Sequence, residues 1–167
     1  MDYFQLNYTP PEEYDFQIEF TVFNKDLKKG GTHDSVSQMI VVPGHQFALL
    51  MNSTGSYLGA ILDGKVLDGK EFRVPGRTEA LSHEAKYETA RRMSVKVEVR
   101  RGKVRALIND KEAINWSGDF KRLKLHTNYG VRDLTRLAVA CQNAEVVFHS
   151  LMVRAAGAES AKPAKEK

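Results

Sequence analysis

The sequence predicts an all-β fold, a two-sheet antiparallel β-sandwich with at most one short helix, and three observations point there. Apolar residues recur at every second position in "YDFQIEFTVF" and "MSVKVEVR", the period of a strand with one buried face. Short apolar runs are separated by turn-forming residues, in "VPGH", "LDGK" and "INDK", at the spacing of a meander. No stretch of helical period alternates with these strands, so parallel βαβ units are not expected.

Taken in chain order, Tyr14, Phe16, Ile18, Phe20 and Val22 share one face of the first long strand, and Asp15, Gln17, Glu19 and Thr21 the other. "NKDLKKGGTHD" follows as a charged loop, and "VSQMIVV", "QFALLMN" and "SYLGAIL" then succeed one another as short strands. In "ILDGKVLDGKEF" an Asp-Gly between apolar runs signals a hairpin, because glycine tolerates positive φ. A calcium loop is the other use for Asp63 and Asp68, but acids at alternate positions are missing, so turn chemistry is preferred.

Residues 76–92 have helix-forming composition, yet Leu81, Ala85 and Tyr87 make a poor stripe. A long loop with at most one or two helical turns is expected there. Beyond it Val95, Val97 and Val99 alternate with Lys96, Glu98 and Arg100, then Val104, Ala106 and Ile108 with Arg105 and Leu107, and "IND" turns the chain into "KEAINW". After the loop "SGDFKRLKLHTNYGVRDLTR", "LAVACQ" and "EVVFHSLMVR" close the domain as two more strands. About ten strands suit a jelly roll better than a seven-strand immunoglobulin plan, with a closed barrel as the alternative.

A chain of 167 residues fits a single domain that buries roughly 70% of its unfolded surface without disulfide or metal. The domain is expected over residues 1–154, followed by a disordered Ala/Lys/Glu-rich tail, 155–167. The tail's three lysines and two glutamates account for one unit of the net charge of +4, leaving the folded part a field too weak for a nucleic-acid binder. The row Lys96, Arg100, Lys103 and Arg105 reads as a solvated sheet face, since no aromatic residue alternates with it and Glu98 interrupts it. "FALLM" and "MIVV" are far shorter than a membrane span, so no membrane association is expected. The N-terminus lacks the basic and apolar regions of a secretory leader, so the chain is expected to be cytoplasmic unless a leader has been removed. The lone Cys141 sits in an apolar run and is expected to be a buried, inert thiol.

"PPEEYDFQIEFTVF", "VSQMIVVPGHQFALLMN", "AILDGK", "MSVKVEVRRGKVRALINDKEAINWSGD" and "EVVFHSLMVR" resemble a group of concanavalin A-like lectin/glucanase domains, close to the bacterial jelly-roll family of 3-keto-disaccharide hydrolases. The resemblance covers about Pro10 to Arg154, and its motifs are structural ones. It implies a jelly roll and, as an activity, hydrolysis of oxidised disaccharides. Members commonly carry a further strand with a "W…G…L" pattern ahead of the "EYD" motif; this chain reads "MDYFQLNYTPPEEYD" there, so that strand is expected to be missing or contributed differently.

A glucanase of this fold would place carboxylates on alternate residues of one strand; Glu13, Asp15 and Glu19 come nearest, with the third spacing wrong. His33, His45, His83, His126 and His149 show no metal-ligand spacing, and nucleophile elbows and phosphate loops are absent, so no catalytic residue, metal or cofactor is assigned. His149 is expected to hydrogen-bond on the less buried face of its strand.

Binding remains. His45, Asn52, Tyr57, Tyr87, Trp116, Asn128 and Tyr129 fall in loops or at strand ends, where a lectin-like sandwich holds sugars by ring stacking and hydroxyl hydrogen bonds. Trp116 shares a face with Ile114, so a packed ring closing one end of the sandwich is preferred to a sugar platform. The expected function is a non-catalytic, lectin-like module for carbohydrate or a protein partner. A keto-disaccharide hydrolase-like enzyme and a structural subunit of an assembly are the alternatives; the last would show an apolar patch that an oligomer covers.

Overall fold

The computed structural model describes residues 2–23, 35–52, 55–59, 61–62, 65–66, 81–82, 88–125 and 132–157. Strands run in chain order as β1 (Asp2–Gln5), β2 (Tyr14–Val22), β3 (Ser35–Val42), β4 (His45–Asn52), β5 (Ser56–Leu58), β6 (Ile61–Leu62), β7 (Lys65–Val66), β8 (Leu81–Ser82), β9 (Arg92–Arg100), β10 (Lys103–Ile108), β11 (Lys111–Ser117), β12 (Leu123–Lys124), β13 (Ala138–Gln142) and β14 (Val146–Ala155). They assemble into a six-stranded sheet, β1-β13-β3-β4-β5-β8, a five-stranded sheet, β11-β10-β9-β2-β14, and a small sheet, β12-β6-β7. The molecule is an antiparallel β-sandwich of the jelly-roll class, and the only helical turn among the described residues is the 3-10 turn Phe120–Arg122.

Period-two alternation places the core. Tyr14, Phe16, Ile18, Phe20 and Val22 of β2 and Met93, Val95, Val97 and Val99 of β9 face inward against Val36, Ile40, Phe47, Leu49 and Val139 of the opposite sheet. β3 is buried along its whole length, on both faces. On the far side of its sheet Met39, Ala48, Leu50, Ala138 and Ala140 form a second apolar cluster, with Tyr3, Tyr57 and Leu125 packed on it. Both faces of the six-stranded sheet are thus apolar at its centre, and each fully buried Leu, Ile or Phe contributes about 1.5–3 kcal/mol.

Turn chemistry sets the register. Pro43-Gly44 joins β3 to β4, with proline ahead of a glycine at φ 68°, the arrangement of a type II turn. Asn109 and Asp110, at φ 48° and 63°, make the tight turn between β10 and β11, and Asn109 Oδ1 also accepts from Ser94 N at 2.9 Å. β6 and β7 pair across Asp63-Gly64, in the register of a two-residue hairpin. That turn itself, like the second Asp-Gly, lies outside the described residues.

Three elements depart from the sequence reading. β1 pairs with β13 as an edge strand where no strand was expected, its four residues being too few for alternation to register. Within 76–92 the described residues include two short pairings, Leu81–Ser82 with β5 and Thr89 with Val22, and Ala90 and Arg91 then turn the chain into β9. β14 continues through Ala155, and Ala156 N donates to Glu13 O at 3.0 Å.

Ala90 holds φ 60° while its N–H donates to Val22 O at 2.7 Å. The left-handed region costs an L-residue roughly 1–2 kcal/mol, and the chain entropy of a glycine gives back roughly 0.5–1 kcal/mol. Ala90→Gly is therefore expected to stabilise the protein by about 0.5–1 kcal/mol, measured as a higher urea midpoint with unchanged slope.

The outer face of the five-stranded sheet carries the arginines and lysines noted above, most of them paired. Arg92 binds Glu19, Arg100 binds Asp15 at 2.8 Å, Lys96 binds Glu98 at 2.8 Å, and Arg105 bridges Glu98 at 3.1 Å and Glu112 at 2.6 Å. Burial alone would raise the Glu98 carboxyl, but Lys96 and Arg105 outweigh it and hold it below the usual carboxylate range. Its contribution is present above the unfolded-state pKa and lost as pH falls through the folded-state value.

Candidate functional site

The β3–β4 turn projects from one end of the sandwich, and a cleft opens on each side of it. The larger, about 650 Å³, is walled by Pro10, Pro11, Val41, Val42, Leu125 and Leu134, with Glu12, His45, Gln46, Lys124 and Thr135 as its polar groups. The smaller, about 220 Å³, shares Glu12, Pro43, Gly44 and His45, and adds Arg100, Arg101, Asp119, Phe120 and Lys121.

Local sequence explains how these groups are held. Asp119 accepts from Lys121 N at 2.9 Å and so caps the 3-10 turn that carries Phe120. Phe120 stacks on Trp116, with centroids 5.8 Å apart, and on Phe47, 5.7 Å away; Phe47 in turn lies 6.3 Å from the His45 ring. His45 Nε2 donates to Leu123 O, which leaves Nδ1 as the acceptor nitrogen of the neutral ring. At the other wall, Tyr14 reaches across the sandwich: its hydroxyl donates to Val41 O at 2.8 Å and accepts from Val41 N at 2.9 Å.

Gln46 is the unusual member. It shares a face of β4 with Ala48 and Leu50 and is only 4% exposed. Its Nε2 donates to Arg136 O at 2.9 Å, while its Oε1 has no donor among the described residues. A buried acceptor without a donor costs on the order of 1–3 kcal/mol, and Gln38 Oε1 is in the same condition among the described residues. Lys124 is exposed in the same cleft wall, and no acidic group within ion-pair distance is found for it among the described residues.

Of the seven sequence candidates, His45 is in this site. Trp116 is not a stacking platform: at 1% exposure its ring supports Phe120 from beneath, and Arg122 lies over it 5.9 Å from the centroid. Gly118 is needed beside it, because a Cβ there would come within 3.1 Å of the indole. Asn52 closes the opposite end of β4, seven residues from His45 and so roughly 23 Å away. Tyr57 packs against the second apolar cluster on the outer sheet face. Tyr87, Asn128 and Tyr129 lie outside the described residues. Glu12, Gln46, Lys124 and Leu134 were missed, and only Gln46 left a trace in the sequence, as an amide on the apolar face of "QFALLM".

The carboxylates weighed for glycoside hydrolysis are engaged elsewhere. Glu13 accepts from Arg101 N at 2.8 Å, and Asp15 and Glu19 are ion-paired on the outer sheet face. His149 is exposed and shares a 2.8 Å hydrogen bond with Thr21 Oγ1. Cys141 is half-buried, and burial together with nearby Asp2 pushes its thiol pKa up, against reactivity.

Sheep galectin-11 superimposes on this chain with a TM-score of 0.54 at 10% sequence identity, over 92% of this chain and 96% of the other. The fold is the concanavalin A-like jelly roll. The carbohydrate-binding module CBM66 of Bacillus subtilis gives a TM-score of 0.55 at 8% identity, covering 87% and 76% of the two chains. A glycosyl hydrolase-like protein of Parabacteroides distasonis gives 0.53 at 8% identity, covering 86% and 72%. At such identities the likeness is one of fold. No protein-family model matches the chain, and no curated protein matches it in sequence.

Proposed function

We propose that the chain is a lectin-like module that binds a saccharide in the cleft beside the β3–β4 turn. The observation that carries this reading is the mixed wall of the larger cleft, where Pro10, Pro11, Val41, Val42 and Leu134 stand beside Glu12, His45, Gln46 and Lys124. A sugar ring supplies what such a wall takes: a C–H face for the prolines, Val41, Val42 and Leu134, and hydroxyls that donate to the Glu12 carboxylate and accept from Lys124. The fold, shared with a carbohydrate-binding module, adds support.

A glycan-array screen of the whole chain, followed by titration of the best ligand, tests it. Glu12→Ala removes an exposed carboxylate acceptor of the cleft wall and is expected to weaken binding about tenfold or more, roughly the 1.4 kcal/mol of one hydrogen bond, with the fold intact. Leu134→Lys, at an exposed position in the cleft wall, is expected to weaken it too. Absence of glycan binding, or affinity indifferent to both substitutions, would overturn the reading.

A further inference from the structure

Among the described residues β14 is an edge of the five-stranded sheet, and it is ten residues long. Edge strands usually carry lysine, proline or a short length to prevent pairing, yet Val146 to Val153 reads VVFHSLMV, with no lysine, arginine, aspartate, glutamate or proline. Val147 and Met152 are 47% and 36% exposed, and Val146, Phe148, Leu151 and Val153 are only partly buried against the core.

The strand is chemically palindromic about His149–Ser150. Val146 mirrors Val153, Val147 mirrors Met152, Phe148 mirrors Leu151, and just outside them Glu145 mirrors Arg154. In a regular strand such mirror mates, an odd number of residues apart, fall on opposite faces. Here the bulge at His149, where the register steps from Phe148–Phe20 to Ser150–Glu19, brings each pair onto one face. Phe148, Leu151, Val146 and Val153 all turn to the core, and Val147 and Met152 outward.

The bulge sorts the backbone in the same way. Glu145 O accepts from Phe23 N, and Ala156 N donates to Glu13 O, so both point toward β2. Alternation from each end then turns the N–H and C=O groups of Val146, Phe148, Leu151 and Val153 away from β2, where no described strand pairs with them.

We propose that β14 pairs antiparallel with β14 of a second copy of this chain, about a twofold axis at His149–Ser150, joining two five-stranded sheets into one. Phe148 faces the partner's Leu151, and Val146 the partner's Val153, in hydrogen-bonded pairs. Val147 meets the partner's Met152 on the outer face, and at each end Glu145 meets the partner's Arg154. Backbone bonds supply the attraction and the side chains the register. A foreign strand would leave the mirror symmetry, and the bulge that completes it, without a role; an isologous contact uses both.

Sedimentation velocity of the whole chain across the micromolar range is the test, and a concentration-dependent dimer is expected. Met152→Lys, at a partly exposed position, should raise the dissociation constant at least about tenfold with the fold intact by circular dichroism. Arg154→Glu sets acid against acid and should weaken the dimer, and adding Glu145→Arg should restore it. In hydrogen exchange, the amides of Val146, Phe148, Leu151 and Val153 should be protected in the dimer and fast in the Met152→Lys protein. A monomer at every concentration, a dimer indifferent to these changes, or amides protected in the monomer by another part of the chain would each overturn the proposal.

Discussion

Trp116→Ala is expected to lower the unfolding free energy by about 3–5 kcal/mol, the range for deleting a buried aromatic side chain. The indole is 1% exposed and stacks on Phe120, which stacks in turn on Phe47. Removing it leaves a void that the rigid pair of sheets cannot close, because Trp116 sits on β11 in register with Val104. It also takes away the support of the 3-10 turn whose following residue, Leu123, offers its carbonyl to His45. Trp116→Phe keeps a ring against Phe120 and should cost less. Urea unfolding of the three proteins checks the order, and equal midpoints for Trp116→Ala and the parent would show that the ring packs nothing.

Tyr14→Phe is expected to cost about 2–4 kcal/mol, although it removes a single oxygen. Val41 lies on β3 beyond Met39, the last residue of that strand paired with β13, and its partner on β4 is Gln46. The backbone N–H and C=O that β13 would otherwise engage are satisfied together by the Tyr14 hydroxyl. Phenylalanine would leave a buried donor and a buried acceptor unmade at once.

The same hydroxyl predicts a pH effect. Burial pushes the Tyr14 phenol well above its ordinary range, against a smaller opposing influence from the Val41 backbone. An acid whose folded-state pKa is raised contributes stability that is complete below its unfolded value, near 10, and is lost as pH rises above it. The parent should therefore lose stability in alkali above about pH 10, and Tyr14→Phe should lack that component. Parallel losses in the two proteins would remove Tyr14 from the account.

Much of the scaffold was legible in the sequence because its signals are local. Tyr14 to Val22 and Met93 to Val99 alternate so regularly that their buried faces follow from the backbone period alone. Pro43-Gly44 and Asn109-Asp110 announced their turns through the φ values those residues tolerate. β1 and β8 were not legible, since strands of four and two residues exist only because a neighbour pairs with them. The site was legible at His45 alone. Glu12, Lys124 and Leu134 come from three separate segments, and nothing in their immediate neighbours marks them as converging on one turn.

By itself, then, the sequence determined which side chains of the long alternating strands share a face, where the chain reverses, and that antiparallel strands enclose the apolar faces, because alternation and turn chemistry act over a few residues. Only the tertiary structure decided that Trp116 is a buried prop for Phe120, that Gln46 Oε1 finds no donor among the described residues, and that a bulge makes β14 its own mirror image. Each of these depends on which distant strands become neighbours and which polar atoms that pairing leaves over, and those are properties of the assembled sheets rather than of any single strand.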